Sequence, residues 1–72
     1  MIFEVGIYNK FVREAVRQGE EPPYDLSPDW EDISYEEMTA DSESEVRRKA
    51  AHKFPSSLGF VIDSVEKPVL FE

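Results

Sequence analysis

The 72-residue chain reads as a small α+β domain of β-α-β-α-β order, with a three-stranded mixed sheet and two helices packed on it. Three observations predict this class. The stretch DSESEVRRKAAHKFP, residues 41–55, carries the start and stop signals of a helix in its own sequence. Two other runs, MIFEVGIY at the start and FVIDSVE near the end, have strand length and are rich in β-branched and aromatic residues. The chain is also too short to divide, so residues 1–72 form a single domain, with an acidic proline-rich loop (20–32) inside it.

The first strand is predicted over Met1 to Tyr8. Phe3, Val5 and Ile7 share one face, and Ile2, Glu4, Gly6 and Tyr8 share the other, which is also largely apolar. Two mostly apolar faces favour a central strand. Gly6 predicts a close contact over the sheet. A short helix follows over Asn9 to Gly19, with Asn9 suited to the N-cap and Gly19 to the stop. Phe11, Val12, Ala15 and Val16 should form its buried side, with Lys10, Arg13, Glu14 and Arg17 in water.

Glu20 to Asp32, EEPPYDLSPDWED, holds three of the five prolines and reads as a loop. Pro22-Pro23 favours an extended path, and Asp25 and Ser27-Pro28 favour turns. Tyr24, Leu26 and Trp30 are out of keeping with a disordered segment. The loop should fold back and pin Trp30 or Tyr24 to the body of the domain. A second strand is predicted over Ile33 to Ala40. Ile33 and Tyr35 lie on one side and Met38 and Ala40 on the other, and the run Glu36-Glu37 predicts a bulge or a late start.

The second helix has Ser42 as N-cap, and Glu45 three residues on to complete a capping box. Acids lead and bases follow, matching the helix dipole, and Glu43–Arg47 and Glu45–Lys49 are i,i+4 pairs in the favourable order. Pro55 stops the helix at about Phe54. Val46, Ala50 and Phe54, with Ala51 beside them, form a narrow apolar stripe that should lie on the sheet near Val5, Ile7, Phe60 and Ile62. The third strand is Phe60 to Glu66. Lys67-Pro68 ends it, and Val69-Leu70-Phe71 makes an extra edge strand or a docking tail. The second and third strands, joined through the second helix, should run parallel with a right-handed crossover, and the first strand should lie between them, antiparallel to both.

No catalytic constellation can be assembled. There is no cysteine, a single histidine (His52), no G-x-S-x-G and no glycine-rich phosphate loop. His52 reads as a solvated residue favoured by the helix C-terminus. Asp25, Ser27, Asp29, Glu31 and Glu36 follow the ligand spacing of a calcium loop. However, Trp30 holds the position that needs glycine, and Pro28 stiffens the loop. No enzyme activity, metal or cofactor is therefore expected. The N-terminus lacks the basic and apolar regions of a signal peptide, and no run approaches the ~20 apolar residues of a membrane span. These features predict a soluble cytoplasmic protein.

Charge placement is the strongest functional signal. The chain has 16 acids and 8 bases, a net charge of −8. Between Glu20 and Glu45 there are eleven acids and no lysine or arginine. Such a field repels nucleic acid and attracts basic surfaces. Glu20, Glu21, Tyr24, Asp25, Asp29, Trp30, Glu31, Asp32, Glu36 and Glu37 are accordingly the candidate partner-binding residues, with the two aromatics as anchors.

The segments ADSESEVRRKAAHKFP and GFVIDSVE, covering Ala40 to Glu66, resemble the strand–helix–strand pattern of short phage and mobile-element α+β proteins. In size and charge the chain is also similar to anti-CRISPR proteins. The resemblance implies a small α+β fold and a mobile-element origin, not an activity. The acidic loop itself points to an inhibitor of a nucleic-acid-binding protein, whose lysine and arginine sites its carboxylates would fill in place of phosphates, with an anti-CRISPR or similar inhibitor as the sharpest form. The expected partner is thus a basic protein surface, with no direct nucleic acid and no membrane. Two other roles compete with this one. One is a nucleic-acid-binding or regulatory module using the basic helix 43–54, through Arg47, Arg48, Lys49 and Lys53. The other is a structural or assembly subunit docking through Val69-Leu70-Phe71.

Overall fold

The middle of the sheet is its most hydrophobic strand. In the computed structural model, which describes residues 1–67, β1 (Ile2–Asn9) lies between β2 (Ser34–Thr39) and β3 (Phe60–Glu66) in the order β2-β1-β3. Phe3, Val5 and Ile7 are buried, as the inward face of a central strand should be. The expectation for Val69-Leu70-Phe71 falls outside the described residues.

Both ladders are antiparallel, which corrects the expectation of a mixed sheet. β2 and β3 do run in the same direction, since each opposes β1. With β1 inserted between them, the parallel pair never meets. The domain is therefore α+β, with an antiparallel three-stranded sheet and two helices, α1 (Lys10–Arg17) and α2 (Glu43–Lys53).

Strand alternation explains the faces. The β1–β2 register is unbroken from Ile2 opposite Thr39 to Ile7 opposite Ser34. Ser34, Glu36 and Met38 thus share the core side with Phe3, Val5 and Ile7, and Tyr35, Glu37 and Thr39 share the other side. No bulge is needed at Glu36-Glu37, because simple alternation already separates Ile33 and Tyr35 from Met38 and Ala40. The irregularity is in β3 instead: Gly6 opposes Ser64 while Ile7 opposes Ile62, leaving Asp63 as the extra residue. That bulge resets the parity, so Phe60, Ile62 and Val65 all reach the core.

On the core side, α2 lays Val46, Ala50 and Phe54 against Phe3, Val5, Ile7 and Phe60, as its stripe predicts. Phe54, Phe60 and Trp30 form an aromatic cluster with ring centroids 5.2–5.6 Å apart in tilted and edge-on geometries. The start of α2 follows the capping box with one change. Ser42 Oγ accepts from the Glu45 amide at 3.2 Å, while Glu45 Oε1 accepts from the Asp41 amide at 3.0 Å.

α1 starts and stops where the sequence predicts, with Asn9 as N-cap and Gly19, at φ 72, just past the C-cap Gln18, and it is held at the end of β1 by Asn9. The Asn9 side-chain oxygen accepts from the amides of Phe11 and Val12, and its nitrogen donates to the Leu58 carbonyl at 3.0 Å. Beside it, the Lys10 amide donates to the carbonyl of Gly59. Gly59 has φ +95, and an added Cβ would lie 2.6 Å from the Phe11 ring, so both conformation and space require glycine. Val12 and Ala15 take the buried side of α1. Phe11, expected inside, is 38% exposed because the Asn9 cap sets its position in the first turn, where its ring rests on the Gly59 backbone.

Candidate protein-interaction surface

The acidic stretch does not fold into one continuous patch. Residues 20–32 form two short 3-10 turns, Pro23–Asp25 and Pro28–Glu31, each with proline in its first turn. Ser27 caps the second: its hydroxyl accepts from the Asp29 amide, and its carbonyl accepts from the Trp30 amide. The segment is pinned at two points. Trp30 is half-buried, packed against both Phe54 and Phe60. Arg13, exposed as expected, stacks 3.7 Å above the Tyr8 ring and donates from Nε to the Glu31 carbonyl at 3.0 Å.

This packing assigns the two aromatics different places. Trp30 turns inward and completes the core, so it is not a free anchor. Tyr24 stands 58% exposed at the tip of the first turn. Tyr24 and Asp25 both adopt left-handed backbone, with φ of 59 and 56. For L residues this costs about 1–2 kcal/mol each, less for Asp than for Tyr. The tip therefore holds an aromatic ring and a carboxylate outward at the expense of stability.

Glu20, Glu21, Asp25, Asp29 and Asp32 are exposed and Glu31 is half-buried. Among the described residues none of these six carboxylates is in an ion pair. Glu36 and Glu37 separate because neighbours on a strand face opposite ways. Glu36 lies on the core side, 3.9 Å from Lys53. Glu37 lies on the other side, level with Glu4, and Glu4 is in turn level with Glu66. Three carboxylates thus form a row across the sheet face opposite the core. The sequence reading missed Glu4 and Glu66 as part of the acidic surface, because only pairing across strands brings them beside Glu37.

The bases of α2 are largely committed. Arg47 pairs with Glu43 at 3.1 Å, Lys49 pairs with Glu45 at 3.6 Å and donates to the Thr39 carbonyl, and Lys53 reaches Glu36. Arg48 alone among them has no ion-pair partner in the described residues. The Asp41 amide holds the Glu45 carboxyl below its ordinary range, with Lys49 adding to the effect against desolvation. The hydrogen bond from Arg17 does the same for Glu14. His52 is exposed on α2. Among the described residues no cluster of His, Cys, Asp or Glu has metal-binding geometry, and no helix is long and apolar enough to cross a membrane.

Comparison with protein families, with curated proteins and with solved structures finds no match to this chain.

Proposed function

We propose that this chain is a small non-enzymatic interaction module that binds and inhibits a nucleic-acid-binding protein, acting in the cytoplasm. In its sharpest form it is an anti-CRISPR-like inhibitor. Its carboxylates occupy lysine and arginine sites that otherwise hold phosphates. The observation that supports this most is the set of six carboxylates on residues 20–32, without ion-pair partners among the described residues and beside an outward Tyr24. The committed bases of α2 weigh against the basic-helix alternative.

The test is charge reversal with a nucleic-acid competitor. The tagged protein should retain a DNA- or RNA-binding protein from host lysate at low salt, and heparin or duplex DNA should release it at constant ionic strength. Asp29, Glu31 and Asp32 changed together to Lys should abolish retention while the circular dichroism spectrum is unchanged. Changing Arg47 and Arg48 to Glu should matter much less. The opposite ranking, or a direct gel shift of DNA by the protein itself, would overturn the proposal.

A further inference from the structure

Among the described residues nothing pairs with the outer edge of β2, a strand edge whose chemistry selects its partner. The Ala40 amide donates to the Met1 carbonyl at 2.9 Å, which makes that pair a hydrogen-bonded one. Hydrogen-bonded and non-hydrogen-bonded pairs alternate along an antiparallel ladder. Met38, Glu36 and Ser34 therefore bond to β1, while Thr39, Glu37 and Tyr35 turn their N–H and C=O groups outward. Lys49 confirms this direction, since its ammonium reaches the Thr39 carbonyl at 2.9 Å. Lys49 thus caps one end of the edge. Among the described residues no backbone hydrogen bond outside the β1 ladder reaches Tyr35 or Glu37.

Proteins usually block such an edge with lysine, proline or a bulge. β3 has its bulge at Asp63, and Pro68 follows it in sequence. β2 has neither a bulge nor a proline, and its only charged residues are Glu36 and Glu37. Its own copy is a poor occupant. The antiparallel registers that bond the outward groups over most of the strand set Glu36 opposite Glu36, or Glu37 opposite Glu37, on chains that each carry a net charge of −8.

We infer that the β2 edge docks an extended, lysine- or arginine-bearing segment of the partner as a fourth strand. This rests on the reading of a basic protein partner given above and adds how that partner is held. Backbone bonds to Tyr35 and Glu37 supply the attachment. The partner residue opposite Glu37 lies at the end of the Glu66–Glu4–Glu37 row and must be a cation. The residue opposite Tyr35 is apolar and packs beside Tyr35, which is 60% exposed.

The test uses a short synthetic Lys–Val peptide with Lys at every fourth position, so that Lys and Val alternate along the face beside Glu37 and Tyr35, with a Glu–Val peptide of the same pattern as control, followed by amide hydrogen exchange. In the free protein the Tyr35 and Glu37 amides should exchange fast, and those of Glu36 and Met38 slowly. Adding the Lys–Val peptide should slow Tyr35 and Glu37. Glu37→Lys, an exposed substitution, should weaken that peptide by about tenfold and admit the Glu–Val peptide. Tyr35 and Glu37 amides already protected in the free protein would overturn the inference, as would Glu37→Lys without effect. Protection confined to residues 20–32 would overturn edge docking while leaving the acidic-loop reading intact.

Discussion

Asn9 is the residue on which a single substitution should reveal most about how this domain holds together. Its side chain is fully buried and does two jobs at once. The oxygen caps α1 through the amides of Phe11 and Val12, and the nitrogen donates to the Leu58 carbonyl, 49 residues away in sequence. The partners settle which end of the amide is which, since two N–H groups face one atom and a carbonyl faces the other. In Asn9→Ala the lost cap costs about 0.5–2 kcal/mol. The stranded Leu58 carbonyl and helix amides add about 1–3 kcal/mol to the extent that water cannot reach them. The expected total of about 2–4 kcal/mol is most of the stability of a domain this small, about 3–5 kcal/mol. Urea melts followed by Trp30 fluorescence and by circular dichroism would measure it. Asn9→Ser keeps a cap acceptor but not the reach to Leu58, and should recover roughly half of the loss. Asn9→Ala within about 0.5 kcal/mol of the parent would refute the view that Asn9 joins α1 to the turn before β3.

Three further outcomes are expected. Phe54→Ala removes a buried ring from the cluster with Trp30 and Phe60 and should cost about 3–5 kcal/mol in the same melts, with Trp30 emission moving to the red in whatever remains folded. Tyr24→Gly relieves left-handed backbone and should raise stability by about 1 kcal/mol while weakening retention of the partner; a loss of stability would refute the strain at the tip. The Asp41 amide holds the Glu45 carboxyl below its ordinary range in the folded chain, so the stability it contributes is full above the unfolded value and is lost as pH falls through the folded one. Glu45→Gln should therefore lower stability at neutral pH and flatten its acid decline, read from urea melts between about pH 3 and 7.

Local chemistry made α2 legible. Its cap, charge order, stop and apolar stripe all lie within residues 41–55, and the structure uses each of them, with Val46, Ala50 and Phe54 in the core. The apolar content of β1 likewise announced a central strand. Phe11 was misplaced because a helical stripe gives spacing, while the Asn9 cap and the Gly59 backbone set the rotation of α1. Trp30 and Tyr24, six residues apart on one loop, were equivalent as sequence; the rings of Phe54 and Phe60 took one, and a left-handed turn held the other outside.

The acidic surface divides in the same way. Composition alone fixed its sign and its extent along the chain, because no base interrupts residues 20–45. Its shape was decided by pairing across the sheet. Strand alternation sent Glu36 toward Lys53 and Glu37 to the opposite face, and antiparallel register brought Glu4 and Glu66 level with it from distant parts of the chain. Helix caps and charge runs are short-range properties that a sequence states directly. Which strand edge stays unpaired, and which carboxylates line up beside it, depends on contacts between residues that only the folded sheet makes neighbours.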